Sequence, residues 1–294
     1  MLRPDLDDLL RGAIDMHLHP GPDMFPCRVD ALEAAKQARQ VGMRAIVIKN
    51  HTYPTTPLAM MVAQLVPEVA VFGSICLDDD IGGLNADALE KHAGMGARVV
   101  WMPTFSSTNS RAAMRKLGMK LEGEGFSILD SRGRLVPEVD KILEIVKAHR
   151  MVLASGHISP AEGIALVKRA RKIGIEKIVI THPSDAVFVV KPYTLEELLR
   201  LADMGAFIEQ TFVTMLPTEW SHPPGPRVKA IKAIGVERCI MSTDLGQLWN
   251  PLPTEGLRLF MATLMRNGIS PREIEVMAKE NPARLLGLDA ATAT

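Results

Sequence analysis

The feature that most constrains this chain is a recurring alternation of short apolar segments with amphipathic ones. Eight segments read as strands: Ala13–His17, Ala45–Ile48, Val69–Ser74, Val99–Met102, Val152–Ser155, Lys177–Thr181, Ala206–Glu209 and Arg238–Ser242. Most are apolar at successive positions, the pattern of parallel strands covered on both faces. Between them, apolar residues recur three and four apart, as in Leu32, Ala35, Ala38 and Val41, which predicts helices. Ser159-Pro160-Ala161-Glu162, Thr194-Leu195-Glu196-Glu197 and Ser270-Pro271-Arg272-Glu273 are helix starts, each with a capping hydroxyl and a glutamate three residues on. Gly42, Gly96, Gly174, Gly205 and Gly235 stand where helices end just before the next strand. Strand alternating with helix predicts a parallel sheet, and eight repeats allow it to close. The expected fold is therefore α/β, a single (β/α)8 TIM barrel over residues 1–294, with no linker to divide it.

One interval is too long for a plain repeat. After strand 4 comes an insertion of about residues 104–136, with the polar run Ser106-Ser107-Thr108-Asn109-Ser110 and a hairpin-like Phe126–Leu135. Long loops at strand ends are more often functional than idle, so this one is a candidate lid, with an inert surface excursion as the alternative.

Composition narrows the partners. Lys plus Arg equals Asp plus Glu at 34 each, which argues against nucleic acid or an anionic membrane surface. No apolar stretch is long enough to span a bilayer, and Met1–Arg11 is acidic, with no apolar run to serve as a signal peptide. Cys27, Cys76 and Cys239 are far apart and odd in number, reading as reduced thiols of a cytoplasmic protein. A small-molecule substrate is the expected partner, with homo-oligomerisation left open.

In a parallel barrel the strand ends share one face, and chemistry collects there. Strand 1 ends Asp15-Met16-His17-Leu18-His19, and alternation puts both imidazoles on one side. His157 follows strand 5, His182 ends strand 6 and Asp244 ends strand 8. Each alone reads as a hydrogen-bonded strand-end residue; a single divalent ion accounts for all five at once. Zinc suits so many histidines, and manganese or iron also fits.

In these residues the chain resembles the amidohydrolase superfamily, whose signature is HxH on strand 1, histidines on strands 5 and 6, and aspartate on strand 8. The resemblance extends to Glu280-Asn281-Pro282-Ala283-Arg284-Leu285-Leu286-Gly287-Leu288 and points to an uncharacterised branch. It implies a metal-dependent hydrolase with His17, His19, His157, His182 and Asp244 as ligands. Members with two ions carry a lysine or glutamate at the end of strand 4, where this chain reads Val99-Val100-Trp101-Met102-Pro103, so one ion is the first choice and two the alternative. Lys49 stands instead at the end of strand 2. It is a carbamylated bridging ligand, a cation for a substrate carboxylate or carbonyl, or a lysine snorkelling at the rim. His51 shares its face as a substrate contact, a ligand or a helix-start residue. Trp101 and Glu209 are further substrate-binding candidates, with a core aromatic and a structural pairing within the barrel as the respective alternatives; Asp15 and Asp23 are candidate partners of the histidines. Asp78-Asp79-Asp80 reads as a solvated turn.

The implied chemistry is cleavage of an amide, lactone or related ester by metal-bound hydroxide, the ion lowering the pKa of water from near 16 toward about 7. Asp244 would move the proton, His182, where it is not a ligand of a single ion, would steady the oxyanion, and Lys49 would hold the substrate. The alternatives are a mononuclear non-oxidative decarboxylase, a deaminase, or a barrel that binds ligand without turnover. A phosphoesterase is less favoured, for want of a basic cluster or a glycine-rich phosphate loop.

Overall fold

A computed structural model describes residues 5–118, 123–218 and 221–288. Every one of the eight segments forms strand, and nine strands result: β1 (Ile14–Leu18), β2 (Ala45–Ile48), β3 (Ala70–Phe72), β4 (Ser74–Cys76), β5 (Val99–Trp101), β6 (Val152–Ala154), β7 (Ile178–Ile180), β8 (Phe207–Thr211) and β9 (Cys239–Ser242). The third segment, Val69–Ser74, contains β3 and stops at the first residue of β4, which begins after Gly73 and runs on to Cys76. Helices fall between the strands as the periodicity requires. Full capping boxes are present at Ser159/Glu162, Thr194/Glu197 and Ser270/Glu273, which satisfies backbone N–H groups that a helix start leaves open.

The chain divides into two compact units: Met1–Lys49, Thr55–Gly73 and Gln210–Thr294 in the first, Asn50–Pro54 and Ser74–Glu209 in the second. In the first, β1, β2 and β3 are parallel, with Ile14 opposite Ala45 and Ala45 opposite Ala70. On the other side of β1 runs β9: the Asp244 N–H donates to the His17 carbonyl at 2.8 Å, and the His19 N–H to that of Leu245 at 2.8 Å. Every residue of β1 is buried, and so is every residue of β9, as strands sandwiched between layers must be. Phe260 and Leu264 of the helix Pro253–Arg266 lie in this interior with Met241 of β9. Asn281 in the segment Glu280–Leu288 has a structural task, donating its amide to the carbonyls of Val236 (2.8 Å) and Cys239 (2.7 Å) and so fixing where β9 starts.

In the second unit β4, β5, β6, β7 and the start of β8 are parallel in that order. The helix Pro137–Ala148 buries Val139, Ile142, Leu143 and Val146, positions three and four apart; each such side chain contributes about 1.5–3 kcal/mol by leaving water. The segment after β5 forms the helix Thr108–Lys116 and is tied down by bridges from Ser107 to Phe126 and from Leu129 to Leu135. Its first residues are interior: Thr104, Ser106, Ser107, Asn109 and Ser110 are buried. No helix among the described residues is long and apolar enough to cross a membrane.

Candidate metal centre

His17 and His19 are two apart at the end of β1, so their side chains project to the same face. Their ring centroids are 5.3 Å apart and their Nε2 atoms 3.3 Å apart. The β9–β1 backbone bonds carry Asp244 to them, with Oδ1 at 3.1 Å from His17 Nε2 and 3.2 Å from His19 Nε2. Lys49, just past β2, adds its Nζ at 3.0 Å from His17 Nε2. All four side chains are buried, Lys49 with 1% exposure.

The backbone holds this arrangement tightly. Asp244 adopts a left-handed φ of +56°, a conformation that costs most side chains energy but that aspartate tolerates. Two residues on, a Cβ at Gly246 would fall 1.7 Å from the His19 carbonyl oxygen, so only glycine lets the loops after β1 and β9 touch. Asp15 stitches the two strands together from within. One of its oxygens accepts the backbone N–H of His17 (3.1 Å) and of Thr243 (3.0 Å), and the other accepts the Thr243 hydroxyl. Burial pushes the Asp15 carboxyl up to about 6 against those donors. It thus serves the backbone of His17. Asp23 lies at the ring of His19, Oδ2 at 3.7 Å from Nδ1, which leaves Nε2 as the nitrogen turned to Asp244.

The donor set fits a cation. Two ligands at about 2.0–2.1 Å from a tetrahedral ion stand about 3.3 Å apart. The three donor atoms here are separated by 3.1, 3.2 and 3.3 Å. An imidazole nitrogen has one lone pair or one N–H, yet His17 Nε2 faces three polar atoms within 3.3 Å. A shared cation explains that crowding; hydrogen bonds alone leave some of the contacts unmatched. Burial works against the charged form of Asp244, and the imidazoles of His17 and His19 outweigh it, holding the carboxyl well below the usual carboxylate range.

The second unit holds another group. His51 Nδ1 lies 2.7 Å from Thr104 Oγ1 and 3.8 Å from Asp78 Oδ2, with Cys76 close enough to make a His/Cys/Asp cluster. Asp78 is not the solvated turn its sequence suggests. It is fully buried while Asp79 and Asp80 face water, because its Oδ1 accepts the backbone N–H of Thr104 (2.8 Å) and Ser106 (2.9 Å) and its Oδ2 the Thr104 hydroxyl. Charge runs average over residues whose burial differs completely, and only the loop after β5 decides which member goes inside. Phe105 stacks on His51 at 3.9 Å, and the rings of His157 and His182 follow, with Phe188 against both.

His157 is held by the start of the long segment: its carbonyl accepts Ser107 Oγ (3.0 Å) and Asn109 Nδ2 (3.2 Å), and its Nδ1 lies 3.2 Å from Ser110 Oγ. The preceding Gly156 is required, since a Cβ there would meet the Met102 carbonyl oxygen at 2.1 Å. His182, with φ +23°, donates its N–H to Glu209 Oε2 at 3.3 Å. Trp101 is wholly buried on β5. Sequence reasoning gave Thr104 no role and named Ser107 and Ser110 only as members of a polar run in a candidate lid; here they hold His51 and His157.

A profile described as a family of unknown function, DUF6282, matches residues 12–209, more than half of the chain. The chain belongs to the DUF6282 family. The matched span includes His17, His19, Lys49, His51, Asp78, His157, His182 and Glu209, whereas Asp244 lies beyond it. No curated protein matches this DUF6282 chain by sequence. Among solved structures it is similar to an amidohydrolase from Pseudomonas aeruginosa, at 14% identity and TM-score 0.66, over 97% of this chain and 98% of the other. It is also similar to the probable dipeptidase PvdM from Pseudomonas aeruginosa, at 12% identity and TM-score 0.64 over 96% of each chain. A third likeness is to the organophosphorus hydrolase from Deinococcus radiodurans, at 12% identity and TM-score 0.60 over 94% of this chain and 92% of the other. At such identities the likeness is one of fold: α/β with parallel strands, of the kind found in amidohydrolases.

Proposed function

We propose that this chain is a cytoplasmic metal-dependent hydrolase of the amidohydrolase type, its strands closing as a (β/α)8 barrel. The observation that carries the reading is the triangle of His17 Nε2, His19 Nε2 and Asp244 Oδ1 on neighbouring strand ends. Those three residues would hold a divalent ion, zinc by preference, with manganese or iron also compatible. Such an ion supplies Lewis acidity and water activated near neutral pH.

The chain's own residues do the rest. Asp244, in contact with His17 and His19 through Oδ1, would receive a proton from the attacking water and return it to the leaving group. Asp23, beside His19 Nδ1, orients that ring. Lys49, buried next to His17, offers donors to the carbonyl oxygen of an amide, lactone or related ester. The ligand roles that the superfamily pattern assigns to His157 and His182 are tested by their own alanine variants.

Gently purified protein should contain about one divalent ion per chain. Metal analysis and turnover should fall together on chelation, assayed over amides, dipeptides, lactones, carboxylated aromatics and phosphotriesters. Asp244→Asn should lower kcat by roughly 10²–10⁴-fold while the far-ultraviolet spectrum stays unchanged. Protein that neither carries nor takes up a divalent ion ends the proposal. A second reading, non-oxidative decarboxylation, is favoured by the buried Lys49, which can anchor a carboxylate. Released CO2, against an added water, separates the two.

A further inference from the structure

The loops that follow β1 and β9 continue past His19 and Asp244 as a bonded pair. The Arg28 N–H donates to the Gly246 carbonyl at 2.8 Å and the Leu248 N–H to that of Pro26 at 2.9 Å, with Cys27 bridged to Gln247 between them. Arg28 Nη1 closes the pair by donating to the Leu248 carbonyl at 3.1 Å. Side chains tie both loops back to the candidate ligands. Gln247 Nε2 donates to the Asp244 carbonyl at 3.3 Å and its Oε1 accepts Asn250 Nδ2 at 2.7 Å, so the turn 247–250 is folded onto Asp244. On the other loop Asp23 lies at the His19 ring, and Met24 is the next residue.

These secured turns show water three bulky apolar side chains. Met24 is 57% exposed, Leu248 53% and Trp249 67%, the largest exposure of any large apolar side chain among the described residues. Apolar exposure gathered on neighbouring turns marks a contact surface. Three side chains of this size, a little over half exposed, offer on the order of 300 Å², against about 800 Å² per partner in a stable protein interface. That area suits part of a small molecule. Trp249 follows Asp244 by five residues, a reach of at most about 18 Å before the turn shortens it, so a group attached to a molecule held at the ion can meet it.

We propose that Met24, Leu248 and Trp249 form an apolar subsite beside the metal centre, which selects substrates by a large apolar substituent on the amide, lactone or ester. That the occupant is a substrate rests on the hydrolase reading. That an apolar chain anchored at the ion binds here does not, so the two can fail separately.

The test is the affinity of unbranched alkyl hydroxamates, from acetohydroxamate to decanohydroxamate, whose chelating head fixes one end at the ion. Wild-type affinity should rise roughly twofold or more per methylene, full burial of each being worth about fourfold. Trp249→Ala should flatten the rise and Trp249→Phe should keep most of it. Leu65→Ala, which removes an exposed apolar side chain from the helix Thr56–Leu65, should keep all of it. In turnover, kcat/KM for esters of the same acyl chains should follow the same order. A wild-type series that is flat or does not bind overturns the subsite, as does an equal rise in folded Trp249→Ala. Sedimentation in which wild type self-associates and Trp249→Ala does not overturns it too, making the patch a contact between copies. A rising hydroxamate series without turnover of any ester or amide upholds the subsite and overturns the hydrolase reading.

Discussion

The two buried histidine–aspartate groups use the same residue types to opposite ends. In the first unit, His17, His19 and Asp244 turn their donor atoms on one another, with separations of 3.1–3.3 Å. In the second, His51 and Asp78 are 3.8 Å apart and Thr104 stands between, matching donor to acceptor on each side. The first arrangement gathers donor atoms that a divalent ion would join; in the second, Thr104 links the imidazole to the carboxylate. Residue composition does not distinguish a metal centre from an orienting relay. The intervening polar atom does.

The largest expected effect breaks this comparison directly. His17→Ala should weaken metal binding by more than about 100-fold, since losing a ligand costs more than losing an outer partner of one. His51→Gln should leave metal stoichiometry as it is in wild type, measured by the same elemental analysis. Equal losses in both would mean that the two groups do not differ as described.

The next effect concerns the backbone contacts beneath each group. Ala at Gly246 forces a Cβ against the His19 carbonyl, and Ala at Gly156 forces one against that of Met102. Each should destabilise the protein by about 1–3 kcal/mol, measured by denaturant unfolding. Only Gly246→Ala should also weaken metal binding, because it displaces the loop that carries a ligand.

The smallest effect sharpens the description of the first group. Asp23→Asn should lower metal affinity by about tenfold, with His19 less firmly oriented. A competition titration against a coloured chelator reads this, and an unchanged affinity would remove Asp23 from the centre.

Much of this was legible before any coordinates. Short apolar runs, helix-start hydroxyls and recurrent glycines located every strand but β4, because periodicity and capping are properties of neighbouring residues. The placement of His17 and His19 on one face followed from strand alternation alone. The break at Gly73 was passed over although the glycine stands in the sequence, because a glycine in an apolar run marks either a bulge or a break and the spacing does not say which.

The sequence by itself therefore determined the α/β alternation, the parallel strands and the HxH pair, all of which depend on spacings of a few residues. Only the tertiary structure decided that Asp244 reaches His17, that Lys49 lies beside it, and that Asp78 rather than Asp79 is taken inside and bonded to Thr104. The physical reason is that a buried polar atom is satisfied by whichever group the fold delivers to it. Those groups come from distant parts of the chain, where no local pattern records the meeting.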